Sequence, residues 1–337
     1  MECRYYGRVE RRDLLAGLLT ALAAPLAVEA QPKHKTARIG VLGFSQTTAA
    51  MTGPTPTNRF VEALLRGLRE LGYVYGEHFV TEPRGAEGKA ERYPDLAAEL
   101  VRLQVDVIVA VAAALPALKE ATRTIPIVMA GHPDPVGAGF VQSLGRPGGN
   151  ITGLTLQSVE LTGKRVELLR ELVPSAAPIA VLWDRRTQSV WAAADTAARA
   201  RGWKLLSLEV ADAAEIEAAF RSATGARAGG LLASAGRVVE PQFRRVAELA
   251  ARHRLPVMYE FGFFVEGGGL MSYGADLVDV WRRSATFVDR ILKGRKTAEL
   301  PVEQPSKFEL VINLAAANAL GLAIPNSLRL RADRVLE

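Results

Sequence analysis

The sequence predicts an α/β protein built from two doubly wound parallel-sheet lobes that are joined by crossover hinge strands. Three observations lead to this prediction. Short segments are apolar throughout, each is followed by a segment with helical periodicity, and the alternation restarts after a loop rich in glycine and proline at 131–149. Continuously apolar strands are typical of parallel sheets covered by helices on both faces. The right-handed crossover rule then gives a doubly wound sheet in each lobe.

The first half of the chain contains four predicted strands and three predicted helices. The strands are expected at 37–44, around 79, at 105–112 and at 125–129. Asn58 is positioned to cap a helix whose apolar residues recur at helical spacing until Gly72 ends it. Further helices are expected through 96–103 and 116–122. These elements are predicted to form the first part of lobe one.

The second half repeats the same order of elements. Strands are expected at 151–154, 179–183, 205–210, 230–233, 256–259 and 308–312, with helices between them and a further helix at 276–292. We expect the chain to recross between the lobes near 273 and again near 303. Lobe one then comprises 37–150 and about 275–303, and lobe two comprises 151–274 and about 304–337.

The first thirty residues have the organisation of an export signal. Arg11 and Arg12 precede an apolar run from 14 to 28, and Val28-Glu29-Ala30 forms a small-x-small cleavage pattern. The run is shorter than the roughly 20 residues that a membrane helix needs. The segment 1–30 is therefore predicted to be a twin-arginine-like signal peptide, and the mature chain to be soluble and periplasmic. The alternative is an ordinary amphipathic N-terminal helix.

Charge and cysteine content exclude several classes of function. The net charge is +6, but basic residues alternate with acidic ones, as at Arg165, Glu167, Arg170 and Glu171, which predicts a solvated surface and no nucleic-acid partner. Cys3 is the one cysteine, and it precedes the cleavage pattern. The mature chain is therefore expected to have no disulfide, no thiolate metal site and no cysteine nucleophile. No cofactor is expected.

Several segments, in matching order and spacing, resemble one family of ABC-transporter substrate-binding proteins with the type I periplasmic-binding-protein fold. They are Gly67–Tyr73, Leu96–Val101, Val105–Val109, Thr124–Val128, Asp134–Gly137, Arg146–Leu154, Gly268–Gly274 and Pro301–Asn313. The resemblance implies a monomeric receptor without catalysis, which captures a small solute by hinge closure and delivers it to a membrane permease and its ATPase. An amino acid or related carboxylate is the favoured solute. The chain departs from the family at 112–114, where three alanines replace the usual glycine and hydroxyl or amide residue.

Ligands of open parallel sheets bind at the carboxyl ends of the strands, beside helix N-termini whose free N–H groups attract anions. The predicted ligand-binding residues follow from this rule and comprise Ser45, Gln46, Ala113, Ala114, His132, Asp134, Gln157, Ser158, Trp183, Asp184, Ser234, Tyr259, Glu260 and Tyr273. Ser45, Gln46 and the amides near Ala113 are expected to hold a carboxylate. Asp184 or Glu260 is expected to pair with an ammonium group, and Trp183, Tyr259 and Phe261 to form an apolar wall.

Other interpretations stay open at this stage. Trp183 also suits core packing, Asp184 suits a helix cap, and Asp134 suits a turn. A ligand sensor for a membrane signalling protein uses the same hinge closure. An enzyme with two α/β lobes is disfavoured, because racemases of the Asp/Glu type need a cysteine pair and the chain lacks H-E-x-x-H, P-loop and G-x-S-x-G motifs. A repressor of this fold would carry a helix-turn-helix where this chain has a leader.

Overall fold

The computed structural model describes residues 36–174 and 177–337. The predicted signal peptide, with Cys3 and the paired arginines, lies outside the described residues. Thr36–Glu337 forms one compact unit. Within the described ranges, no helix combines the length and the apolar character needed to cross a membrane.

The first sheet has five parallel strands. They are β1 (Ala37–Gly43), β2 (Phe79–Gly85), β3 (Val107–Ala110), β4 (Ile127–His132) and β5 (Ile151–Thr155), in the order β2-β1-β3-β4-β5. The helices in this part of the chain are α1 (Thr48–Met51), α2 (Arg59–Glu70), α3 (Tyr93–Arg102) and α4 (Leu115–Ala121). The Asn58 side chain accepts hydrogen bonds from the amides of Phe60 and Val61, so the predicted cap of α2 is confirmed.

The second sheet has seven strands and is mixed. They are β6 (Ile179–Trp183), β7 (Leu205–Glu209), β8 (Gly230–Ala233), β9 (Val257–Tyr259), β10 (Met271–Ala275), β11 (Phe308–Asn313) and β12 (Arg334–Leu336), in the order β12-β11-β10-β9-β8-β6-β7. The later helices are α5 (Thr162–Leu172), α6 (Gln188–Arg199), α7 (Glu215–Gly225), α8 (Phe243–Arg252), α9 (Gly262–Glu266), α10 (Leu277–Leu292), α11 (Leu314–Ala319) and α12 (Asn326–Arg331). The predicted class, two α/β lobes with parallel sheets, is confirmed.

One strand was assigned to the wrong sheet by the sequence analysis. The segment predicted to begin the second sheet, 151–154, pairs instead with β4, as Ile151 aligns with Ile127. The long loop after β4 therefore returns the chain to the edge of the same sheet. Gly153 allows the close approach, since a Cβ at this position would lie 2.3 Å from the carbonyl oxygen of Met129. The proposed lobe boundary near 150 consequently moves to the end of β5.

The chain passes between the lobes after β5, after β10 and before β11. Between the last two passages, α10 packs on α2 and β4 of the first lobe. β10 runs antiparallel to β11, because the chain leaves the second lobe through β10 and re-enters from the opposite end. Two of the passages are joined directly: the amide of Thr155 donates to the carbonyl of Glu303, and the amide of Glu303 donates to the carbonyl of Gly153, both at 2.9 Å. The carboxyl ends of the strands of both lobes border these passages.

Candidate functional site

A buried arginine lies where two interlobe passages meet the end of β9. Arg165 on α5 donates from Nε to the carbonyl of Tyr273 and from Nη1 to the carbonyl of Ser158, both at 2.7 Å. Its Nη1 is also 3.7 Å from Oε2 of Glu260, and the two side chains are 0% and 2% exposed. Burial lowers the pKa of the guanidinium, and the Glu260 carboxylate opposes this shift. One charged pair thus connects Ser158, Tyr273 and Glu260, three of the predicted site residues.

The surface interpretation of Arg165 was wrong. It was grouped with neighbouring charges as part of a solvated face, yet its side chain is fully buried. The sequence contained a signal, because Arg165 interrupts the stripe that Leu161, Leu168, Leu169 and Leu172 place on one face of α5 at helical spacing. An arginine in such a stripe requires a buried acceptor.

Asp184 caps the turn that follows β6, and it also binds the loop 234–239, which follows β8. Its Oδ1 accepts from the amide of Arg186 and its Oδ2 from the amide of Val238, both at 2.9 Å. Thr187 completes a capping box with it. The helix-cap interpretation is confirmed, and both carboxylate oxygens already have backbone donors. The ammonium-binding role of Asp184 stays a prediction.

Glu260 and Ser234 hold the other end of the same loop. The Glu260 Oε1 accepts from the amide of Ala235 at 2.8 Å. Ser234 Oγ, fully buried, lies 3.0 Å from the Leu182 carbonyl and 2.9 Å from Thr187 Oγ1. The loop 234–239, at the carboxyl end of β8, is therefore anchored at its first residues by Glu260 and near its end by Asp184. This anchoring holds in position the residues that directly follow the loop.

The aromatic side chains of the second lobe have well-defined neighbours. Trp183 donates from Nε1 to Ser207 Oγ at 2.9 Å and stacks on Trp191, with ring centroids 6.2 Å apart. Tyr259 stacks on Phe264, with centroids 5.3 Å apart. The contacts of Trp183 agree with the interpretation that it packs in the core. That Trp183 and Tyr259 form an apolar wall of the ligand site remains a prediction.

Gln157 and Tyr273 lie at the first and second passages, and each has contacts that hold the local chain. Gln157 is half-buried and has a φ of 50°, in the left-handed region. Its amide donates to Thr155 Oγ1 at 3.0 Å. The Tyr273 ring is half-buried near Phe308, with centroids 6.5 Å apart. These contacts hold the first and second passages, and ligand contacts by Gln157 and Tyr273 remain predictions.

On the first lobe, the predicted residues lie in loops after β1, β3 and β4. Gln46 Nε2 donates to the exposed Ser45 Oγ at 2.9 Å. In the 3₁₀ turn after β3, the residue at 113 is exposed and that at 114 is buried, and neither alanine side chain offers a donor. Asp134 Oδ1 accepts from the Gly137 amide at 2.7 Å, as expected of a residue that stabilises a turn. Their ligand roles remain predictions.

His132 ends β4 and is buried. Its Nδ1 accepts from the amide of Asp134 at 3.0 Å, and its ring meets Phe140 edge to face at 5.1 Å. Burial, the largest cause, lowers the pKa of His132 to about 4; Asp134 opposes the shift and Arg186 of the second lobe adds to it. The His132 imidazole is therefore neutral at pH 7 and can donate from Nε2.

This pKa predicts a loss of stability in acid. The folded protein keeps His132 neutral down to about pH 4, while the unfolded chain takes up a proton near pH 6.5. Falling pH therefore favours unfolding between about 6.5 and 4. We expect the free energy of unfolding to drop by about 2 kcal/mol more between pH 8 and pH 5 in the unaltered protein than in His132→Gln. Urea denaturation at the two pH values measures this, and equal losses in both proteins contradict it.

Two residues missed by the sequence analysis lie on different lobes and interact electrostatically. Tyr93 begins α3 on the first lobe and is 3% exposed. Glu240 on the second lobe follows the anchored loop 234–239 and is half-buried. Burial, and then the Glu240 charge, raises the pKa of the Tyr93 hydroxyl, so the two groups interact electrostatically across the lobes. Both residues follow the carboxyl end of a strand, which was the available signal, but each lies several residues beyond it.

Several buried polar atoms of the two lobes lack a hydrogen-bond partner among the described residues. They are the Tyr93 hydroxyl, Ser158 Oγ, Arg165 Nη2, the Tyr259 hydroxyl and Ser272 Oγ. Unpaired buried polar groups are costly, and in native proteins they mark places where water or a ligand supplies the partner. Within the described ranges, no group of three or more His, Cys, Asp or Glu side chains is arranged to hold a metal ion.

The two lobes, the three passages and the polar groups that face the cleft define a two-lobed α/β binding protein of the type I periplasmic-binding class. A family model described as "ABC transporter substrate binding protein" matches residues 51–336. The chain belongs to this family.

Relatives of known structure or function share most of its length. The chain is 24% identical over 266 residues to a tyrosine-binding protein of Clostridioides difficile (strain R20291), covering 77% of this chain and 76% of the relative. A conserved domain protein from Vibrio cholerae is 28% identical with a TM-score of 0.78, covering 89% of this chain and 100% of that one. An ABC domain from Streptococcus pneumoniae, solved with L-Trp, is 26% identical with a TM-score of 0.77 and the same coverage.

Proposed function

We propose that this protein is an extracytoplasmic receptor that captures an amino acid between its lobes and delivers it to the permease and ATPase of an ABC importer. The observation that carries the proposal is the presence of unpartnered, buried polar groups that follow the carboxyl ends of strands, Tyr93 on the first lobe and Ser158 and Arg165 after the first passage. A zwitterion bound between the lobes supplies both a donor and an acceptor for such groups. The tyrosine- and tryptophan-binding relatives support an amino acid as the solute.

In this proposal the protein performs no chemistry on its solute. Closure of the lobes changes the outer surface that a membrane partner contacts, and the three passages between the lobes act as the hinge. A sensor that presents its closed form to a signalling partner would bind the solute identically. The two outputs are distinguished by uptake: deletion of the gene abolishes accumulation of the labelled solute if the protein feeds an importer.

The solute is identified by melting measurements. Residues 31–337, refolded to remove carried-over ligand, are heated with each of the twenty amino acids, beginning with L-tyrosine and L-tryptophan. A solute at about 100 times its Kd adds about 2.7 kcal/mol to the free energy of unfolding and raises the Tm by roughly 5 °C. The matched N-acetyl amino acid, which lacks the ammonium charge, is the control and should leave the Tm unchanged. If no amino acid raises the Tm, the proposal is wrong.

A further inference from the structure

Glu240 differs from the two predicted acidic residues of the second lobe, Asp184 and Glu260, because its carboxylate is not already bound within the described residues. Both oxygens of Asp184 accept backbone amides, and Glu260 is shared between the Ala235 amide and Arg165. No hydrogen bond or ion pair links the Glu240 carboxylate to another residue of the described ranges. Its backbone is held, since its amide donates to the carbonyl of Gly236 at 2.9 Å.

The surroundings of Glu240 favour a cation over water. Glu260, on the loop after β9, carries a like charge that acts on Glu240. Tyr93, from the opposite lobe, is almost fully buried and its hydroxyl has no partner. Glu260 is the carboxylate that Arg165 contacts, and Arg165 does not contact Glu240. Its other donors bind the carbonyls of Ser158 and Tyr273 or have no acceptor among the described residues. When Glu240 is ionised, the group of Glu240, Glu260 and Arg165 therefore has a net negative charge, and this charge acts on the unpaired Tyr93 hydroxyl.

We infer that Glu240 and the Tyr93 hydroxyl form the subsite for the ammonium group of the solute, and that Glu240 releases a proton when the ammonium binds. This inference rests on the proposed function and assigns to Glu240 the role that the sequence analysis gave to Asp184 or Glu260. Because Tyr93 belongs to one lobe and Glu240 to the other, an ammonium group between them links the lobes in the closed form. The solute class is accordingly a primary amine with a free ammonium.

The proton release follows from the state of the empty site. Burial, and then the Glu260 charge, raises the pKa of Glu240 to about 7, so about half of the empty molecules carry a protonated Glu240 at pH 7. An ammonium cation stabilises the ionised carboxylate and displaces the proton to solvent. The other groups at this position do not titrate in the same range, since the pKa of Tyr93 is raised and that of His132 is lowered to about 4. Binding should therefore weaken about tenfold from pH 8 to pH 6.

The test is isothermal titration of the unaltered protein, of Glu240→Gln and of Glu248→Gln with L-tyrosine, or with whichever amino acid raises the Tm. Glu248 is an exposed acid on α8 and serves as the matched control. Glu240→Gln should weaken binding at least about 30-fold, and Glu248→Gln should bind as the unaltered protein does. Titration in phosphate and in Tris at pH 7 should show about half a proton released per solute by the unaltered protein and none by Glu240→Gln.

The deamino analogue of the solute separates an ammonium contact from a merely structural role. Its affinity should be the same within about twofold in Glu240→Gln and in the unaltered protein, because it has no ammonium group to lose. Equal loss of affinity for the amino acid and for its deamino analogue overturns the inference while leaving the proposed function intact. Unchanged affinity for the amino acid in Glu240→Gln also overturns the inference and leaves the proposed function intact. Failure of the unaltered protein to bind any amino acid overturns both.

Discussion

Replacing Arg165 by methionine should destabilise the protein by about 3–5 kcal/mol. The substitution keeps an unbranched side chain in the stripe of α5 but removes the only cation that contacts Glu260 among the described residues. It also removes the guanidinium donor from the carbonyls of Tyr273 and Ser158, of which the second keeps the Thr162 hydroxyl. A buried charge whose partner is removed accounts for an effect of this size. Urea denaturation followed by circular dichroism measures the change in the free energy of unfolding, with an unchanged m-value showing that two-state behaviour is retained.

Arg185→Met is the matched control for this prediction. The Arg185 side chain is 93% exposed, and its Nε is 3.6 Å from an oxygen of Glu209, which is itself exposed. Exposed pairs contribute little, so a change of no more than about 0.5 kcal/mol is expected. The double variant Arg165→Met with Glu260→Gln should recover part of the loss, since it removes the uncompensated charge. If Arg165→Met is no less stable than the control, the buried pair does not organise this region as described.

Gly274→Ala should cost about 2–3 kcal/mol and weaken solute binding. A Cβ at position 274 would lie 1.9 Å from the carbonyl oxygen of Glu260, which is backbone and cannot rotate away. The methyl group must push β10 from the segment that carries Glu260, an overpacking of the kind that typically costs 1–3 kcal/mol. The strain falls beside the second passage between the lobes, so the Kd for the solute should rise together with the loss of stability.

The control for this change is Gly145→Ala. Nothing lies within 4 Å of a Cβ at position 145, and its backbone does not have a positive φ. Its free energy of unfolding should change by less than about 0.5 kcal/mol, with a small gain because alanine restricts the unfolded chain. Denaturation and calorimetric titration of the two variants in parallel make the comparison. Equal behaviour of the two variants would show that the contact with Glu260 is not restrictive.

The fold class was predictable because each element is encoded within a short window. Apolar strands, helical periodicity and caps such as Asn58 depend on neighbours in sequence. Sheet membership depends on distant residues: nothing local in 151–154 determines whether it pairs with β4 or starts a new sheet. The loop at 131–149 was taken as a boundary, whereas the close fit of Gly153 against Met129 appears only in three dimensions.

The candidate site was predictable to the level of loops but not of individual side chains. The rule on strand ends selected Ser158, Asp184 and Glu260, which do lie in buried polar networks. It missed Tyr93 and Glu240, because these residues follow the strand by several positions and reach the cleft only when the opposite lobe faces them. It also mistook Arg165 for a surface residue, since charge alternation along a sequence carries no information about the direction of a side chain on its helix.

The position of Arg165 constrains how the specificity of this substrate-binding protein can diverge. The same guanidinium bonds the first passage at Ser158, the second at Tyr273, and the carboxylate of Glu260. A substitution there to suit a new solute would disturb both passages between the lobes at the same time. Glu240 and Tyr93 do not combine these two roles, because neither side chain makes a hydrogen bond to a passage within the described ranges. Laboratory selection for a different solute should therefore accumulate changes at 93 and 240 while retaining the arginine.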